Sequence, residues 1–127
     1  MPNIPPVLRT ENDVAEETWN DARGRLSFRT LIDGDETATT ALTFGTATLA
    51  AGEWLSLHRH AQPEIYYILS GSGALTIDGV RHDVSAGTGI FIPGNAEHGI
   101  SNAGPATLKF LYAFAVDGFS EVVYVFS

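Results

Sequence analysis

The 127-residue sequence predicts an all-β fold, a sandwich or barrel of short strands preceded by a short helical arm. Two observations carry the strands. From Leu26 onward, brief apolar or alternating runs follow one another, separated by Gly, Asp and Asn, as half-buried strands joined by tight turns require. The Asp78-Gly79 pair between two such runs has the composition of a two-residue hairpin turn, where both residues need positive φ. The arm rests on a third observation: Thr10, with Asp13 three residues on, reads as a capping box ahead of Val14–Trp19.

Residues 1–24, acidic and punctuated by proline, form the expected arm, and residues 25–127 the barrel. Strands are expected over Leu26–Ile32, Leu42–Ala50, Trp54–His60, Ile65–Leu69, Gly73–Ile77, Val80–Val84, Gly89–Ile92, His98–Asn102, Thr107–Val116 and Glu121–Phe126. No repeat, low-complexity tract or linker interrupts them. With 44% hydrophobic and 17% charged residues, the chain has the material for one core and no room for a second domain.

Composition also excludes partners. A formal charge of −8 disfavours nucleic acid and anionic membrane surfaces, whose recognition depends on clustered Lys and Arg. No apolar run reaches signal-peptide or membrane-span length, so the expected location is the cytoplasm. With no cysteine, any metal must be held by nitrogen and oxygen. A small molecule is the natural substrate.

Gly52–Glu64 places two of the four histidines, His58 and His60, on alternate residues and a carboxylate, Glu64, four residues later. On a strand, residues i and i+2 face the same way, so the imidazoles stand side by side. Pro63 breaks the ladder and lets the chain turn back toward the same site. His98 adds a third imidazole. Three neutral nitrogens and one anionic oxygen suit a divalent transition ion and leave octahedral positions open.

These residues carry a resemblance. The chain reads G-x5-H-x-H-x3-E-x6-G from Gly52 to Gly71 and G-x5-P-x4-H-x3-N from Gly87 to Asn102, similar to the two signature motifs of the cupin superfamily. The resemblance implies a jelly-roll barrel, or double-stranded β-helix, with His58, His60, Glu64 and His98 as ligands of one divalent ion per chain; affinity order favours the later transition metals but cellular supply often decides, which leaves Fe, Mn, Ni, Zn and Co. It also implies a homodimer, the common state of small cupins. One position departs, because Asn95 stands where cupins usually carry glycine two residues after the proline. Asparagine tolerates positive φ better than other non-glycine residues, so the turn is expected to survive.

Tyr66 lies two residues after Glu64 and shares its face; it is either a core tyrosine or a phenol beside the metal. A dication changes what a phenol can do. At about 5 Å and an effective dielectric constant of about 20, one positive charge favours phenolate by roughly 3 kcal/mol, about two pKa units, which would make Tyr66 a usable general base. Tyr124 either closes the barrel or lines the pocket. Trp54, on the parity of Ser56, His58 and His60, is expected to point inward and wall the site. Tyr67, Leu69, Phe91, Phe110, Tyr112 and Phe114 are expected in core or dimer packing, and His82, after the Asp-Gly turn, in solvent.

Beyond the motifs, Leu31-Ile-Asp-Gly-Asp35, Glu64-Ile-Tyr66, Pro93-Gly-Asn-Ala-Glu-His98 and Gly118-Phe-Ser-Glu-Val122 with Tyr124 look like the small cupin lyases that cleave dimethylsulfoniopropionate (DMSP) to dimethyl sulfide and acrylate. This resemblance implies Tyr66 as base and Tyr124 as a pocket residue, with Trp54, Tyr66 and Tyr124 offering aromatic faces to the sulfonium. The expected activity is therefore a metal-dependent carbon–sulfur β-elimination. A ferrous cupin dioxygenase, a non-catalytic small-molecule-binding cupin and a metal-dependent sugar isomerase are the alternatives that use the same ligands.

Overall fold

A computed structural model describes residues 4–127; the first three residues of the expected arm lie outside it. The strands are β1 Glu17–Asp21, β2 Gly24–Ile32, β3 Thr43–Leu49, β4 Trp54–Arg59, β5 Glu64–Ser70, β6 Ser72–Ile77, β7 Val80–Ser85, β8 Gly89–Ile92, β9 His98–Ser101, β10 Leu108–Phe114 and β11 Val125–Phe126. They form one antiparallel sheet in the order β7-β6-β9-β4-β2-β3-β10-β5-β8, with β1 added to β2 and β11 to β4. The sheet curls into a barrel whose interior is filled by Leu49, Ile68, Leu75, Ile92, Leu108 and Phe110, all but sealed from solvent.

The hairpin forms where the dipeptide predicts. Ile77 pairs with Val80, and Asp78 and Gly79 take φ of 46° and 80°, both left-handed as a type I′ turn demands. Asn95 likewise adopts φ 64°. Its N–H donates to the His60 carbonyl at 2.8 Å, so the turn before His98 is fastened to the backbone of another histidine of the motif.

The N-terminal helix does not form. Asp13 does accept from the Thr10 N–H at 2.7 Å, but only a single 3-10 turn, Glu11–Asp13, follows, and Val14 is already extended. The Arg29 side chain donates to the carbonyls of Glu11 and Val14 at 3.0 and 2.7 Å, recruiting acceptors that a helix would use for its own ladder. The chain then runs as β1, paired residue for residue with β2, and brings Trp19 against the core. Tertiary contact overrides a weak local preference.

Two further expectations change. The C-terminal strand shortens to Val125–Phe126, because Phe119–Glu121 forms a 3-10 turn. Trp54 does not point inward: it is 40% exposed, and its Nε1–H donates to the Ser56 hydroxyl on the outer surface. The cause is a break in register between Leu55 and His58 in the β4–β9 pairing, which puts both of these residues inside although they are three apart. A bulge of this kind reverses side-chain parity upstream. Phe110, Tyr112 and Phe114 are core residues, whereas Tyr67, Leu69, Phe91 and His82 stand on the outer surface.

Candidate metal centre

Three strands deliver the convergent side chains. His58 lies on β4 and pairs directly with His98, the first residue of β9; His60 follows the end of β4, and Glu64 opens β5. The rings of His58 and His98 are 4.1 Å apart, those of His60 and His98 5.0 Å, and those of His58 and His60 5.5 Å. A ligand nitrogen from each lies within 4.8 Å of the other two, a grouping that could hold a metal ion. Glu64 Oε1 is 3.2 Å from Nε2 of both His60 and His98. All four residues are buried.

Each imidazole is aimed by its own neighbouring backbone. Nδ1 of His58 meets the Ser56 carbonyl at 2.7 Å, Nδ1 of His60 the Gln62 carbonyl at 2.8 Å, and Nδ1 of His98 the Ala96 carbonyl at 2.9 Å. A carbonyl can only accept, so Nδ1 carries the proton in each and the Nε2 lone pair of the neutral ring is left for the common centre. The Nε2 of His58 is buried with no partner among the described residues. Leaving such an atom unsatisfied is costly, and a divalent cation is the partner that three Nε2 atoms and a carboxylate have in common.

The electrostatics separate the rings. Burial, then the nearby His98, holds the His58 imidazolium down to about 3, so this ring is neutral at any working pH. Burial also opposes charge on His60, but the hydrogen bond and charge of Glu64 outweigh it and raise His60 above its ordinary value. In the absence of metal, Glu64 therefore favours a proton on His60, whereas His58 resists one.

Tyr66 and Tyr124 flank this centre. The Tyr66 ring lies 6.2 Å from His98 and 4.5 Å from Phe110, and Tyr124 stacks on His58 at 4.9 Å and meets His60 at 5.3 Å. Burial, followed by the charge of Glu64, pushes both phenols well above their ordinary value. Both line an interior cavity of about 30 Å³ together with Glu64, Trp19, Phe28, Tyr112 and Phe119. Trp54 has no part in it.

The sequence pattern of the Cupin domain matches residues 45–114, more than half of the chain. The chain is a cupin. Over its full length this cupin is 41% identical to dimethylsulfoniopropionate lyase DddW of Ruegeria pomeroyi and covers 83% of that protein. It is 31% identical over 108 residues to an oxalate-binding protein of Thermotoga maritima, spanning 83% of this chain and 89% of that one. Its fold superposes on the polyketide cyclase RemF of Streptomyces resistomycificus with a TM-score of 0.79, at 24% identity over 97% of this chain and 87% of that one.

The aromatic wall of the cavity was only partly legible. Phe28 alternates with Ser27 and Arg29 and so belongs inside by parity, but Trp19 sits in a polar stretch that reads as helix. Phe119 comes from a turn. Its only sequence signal is the Gly118–Val122 segment shared in appearance with the lyases.

Proposed function

We propose that this cupin is a metal-dependent lyase that cleaves DMSP to dimethyl sulfide and acrylate, with His58, His60, Glu64 and His98 holding one divalent ion and Tyr66 as the base. The observation that carries the reading is that Glu64, within 3.2 Å of two of three clustered histidines, lines an apolar, largely aromatic cavity together with the phenols of Tyr66 and Tyr124. The full-length likeness to DddW supports the substrate.

The two ends of the cavity suit the two ends of such a zwitterion. The carboxylate belongs at the donor cluster and the sulfonium against Phe28, Tyr112, Phe119 and the cavity face of Trp19, where ring faces favour a cation; the Arg23 guanidinium, 4.3 Å from the Trp19 ring, is not among the cavity's lining residues. A divalent ion bound there would supply the positive field that polarises the carboxylate and offsets the cost of charging a nearby phenol. Tyr66 as phenolate takes a proton from the carbon α to the carboxylate. The electron pair left behind forms the carbon–carbon double bond, the β carbon–sulfur bond breaks, and its electrons leave on neutral dimethyl sulfide. The proton rests on Tyr66 and acrylate remains. Tyr124, touching both the histidines and Trp19, spans the two ends and fixes the substrate between them.

The test is release of dimethyl sulfide, with stoichiometric acrylate, from DMSP supplied to protein reconstituted with iron, manganese, nickel, zinc or cobalt. Metal-dependent release is expected. Silence with all five ions would overturn the substrate and make oxygen uptake, the mark of the dioxygenase alternative, the next assay. The homodimer belongs to the same reading, and equilibrium sedimentation decides it.

A further inference from the structure

The cavity is too small for the substrate proposed above. Its volume is about 30 Å³, whereas a cavity of about 150 Å³ is what admits benzene in an engineered core. A wall must yield. Trp19, Leu26, Phe28, Ala47, Leu55, Glu64, Tyr66, Phe110 and Tyr112 are all carried on strands and fixed by their ladders. The remaining two lining residues, Phe119 and Tyr124, come from the C-terminal segment outside the strands.

Tyr124 is held between His58 and Trp19. Phe119 packs beside it, among the other aromatic rings. Its ring lies 6.1 Å from each of Phe28, Tyr112 and Tyr124 and packs near Phe114 at 6.2 Å, within the aromatic half of the cavity. The backbone beneath it is fastened by a clasp to the loop after β2. The Phe119 N–H donates to Asp33 Oδ1 at 3.1 Å, and the Ser120 N–H and hydroxyl donate to the two oxygens of Asp35, each at 2.9 Å. Gly34 N–H donates to the Asp117 carbonyl at 2.8 Å, and Ala41 N–H to the Asp117 carboxylate at 2.7 Å. The approach requires glycine on both sides: a Cβ on Gly34 would strike the Asp117 carbonyl, and one on Gly118 the Asp35 carboxylate.

Asp35 is exposed and is not among the residues that line the cavity, so its bonds to Ser120 serve the turn itself. On its other side the turn is tied to the metal centre: the Gln62 side chain donates to the Glu121 carbonyl at 3.2 Å, while the Gln62 carbonyl accepts from His60. Phe119 is thus the movable wall, and the clasp sets how far it moves.

We propose that Phe119 determines which S-alkyl groups the cupin accepts, and that Asp35 is the positioning residue that holds it in place through Ser120. This rests on the lyase reading and deepens it. Dimethylsulfonio groups are admitted by a small displacement of the ring, and larger dialkyl groups are refused because Phe119 cannot retreat further while Asp35 grips the turn.

The experiment compares kcat/KM for DMSP and for its diethylsulfonio analogue in wild type, Phe119→Leu, Phe119→Ala and Asp35→Ala, all metal-loaded and checked by circular dichroism. Wild type is expected to favour the dimethyl substrate by at least about 10-fold, in the range that one or two methylenes command in an apolar pocket. Phe119→Ala should reduce that preference about 10-fold, with Phe119→Leu between. Asp35→Ala should move the ratio in the same direction, with KM for DMSP raised and kcat largely kept. A loss of fold alone would lower both substrates together and leave their ratio unchanged. An unchanged ratio in folded Phe119→Leu overturns the role of Phe119, and an unchanged ratio in Asp35→Ala overturns the clasp. If wild type releases no sulfide from either compound, the lyase reading fails and this inference with it.

Discussion

Deleting the hydroxyl oxygen of Tyr66 and that of Tyr112 should have opposite consequences, although both tyrosines line the same cavity. The Tyr112 hydroxyl is 2.6 Å from Thr30 Oγ1 in a buried pair. Tyr112→Phe leaves the threonine oxygen without its partner, in a residue only 6% exposed. Stranding a buried hydroxyl costs about 1–3 kcal/mol. For a domain of this size that is a fall in Tm of about 4 °C per kcal/mol, so about 4–12 °C. The Tyr66 phenol is different: burial and neighbouring negative charge govern it, with no hydrogen bond among its influences. Tyr66→Phe removes a polar atom that the fold does not satisfy, so Tm should stay level or rise. Activity should invert the order. Loss of a general base removes about 10²–10⁴ of rate, so Tyr66→Phe is expected to be nearly silent while Tyr112→Phe retains most of its turnover. Scanning calorimetry and sulfide release on the same metal-loaded preparations decide the matter. If Tyr66→Phe loses as much stability as Tyr112→Phe, or keeps wild-type turnover, the assignment of the two phenols is wrong.

Other outcomes follow from the same geometry. In metal-free protein, ring-nitrogen NMR should find His60 taking a proton above pH 6.5 and His58 still neutral down to about pH 3. The signs differ: the His60 contribution to stability is present below pH 6.5 and lost as pH rises through its raised pKa, whereas that of His58 is present above pH 6.5 and lost as pH falls, by about 2 kcal/mol at pH 5. Chelation should abolish turnover and lower Tm by an amount that grows with the metal concentration used for loading, since ligand bound only to the folded state adds stability by mass action. At Asn95, with φ 64°, substitution by glycine should be nearly neutral, but Asn95→Val should cost about 1–2 kcal/mol in denaturant unfolding and slacken the bond to His60.

Much of this was legible because strands encode themselves with period two. The alternation in Leu26–Thr30 and Leu108–Phe114, and the Asp78-Gly79 turn, set strands and hairpin to within a residue or two. Where parity failed, a bulge was responsible: nothing in Trp54–His60 announces the register break that turns Trp54 outward while leaving His58 and His60 inside. The arm failed for another reason. Thr10 and Asp13 do make a capped turn, but Arg29, far along the chain, engages the carbonyls that follow, and no local pattern reports a distant guanidinium. Spacing brought His58, His60, Glu64 and His98 together because i, i+2 pairing and a single turn suffice to place three of them. The rest of the cavity depends on β1 and the Phe119 turn, whose positions are settled by tertiary contacts.

The most direct test of the metal centre is anomalous diffraction from crystals of the cobalt-loaded protein, collected at the cobalt edge. The account predicts one peak per chain about 2.0–2.2 Å from Nε2 of His58, His60 and His98 and from a Glu64 oxygen. A peak bound through Nδ1, a peak elsewhere on the barrel, or none at the cluster while the loaded protein is active would contradict it.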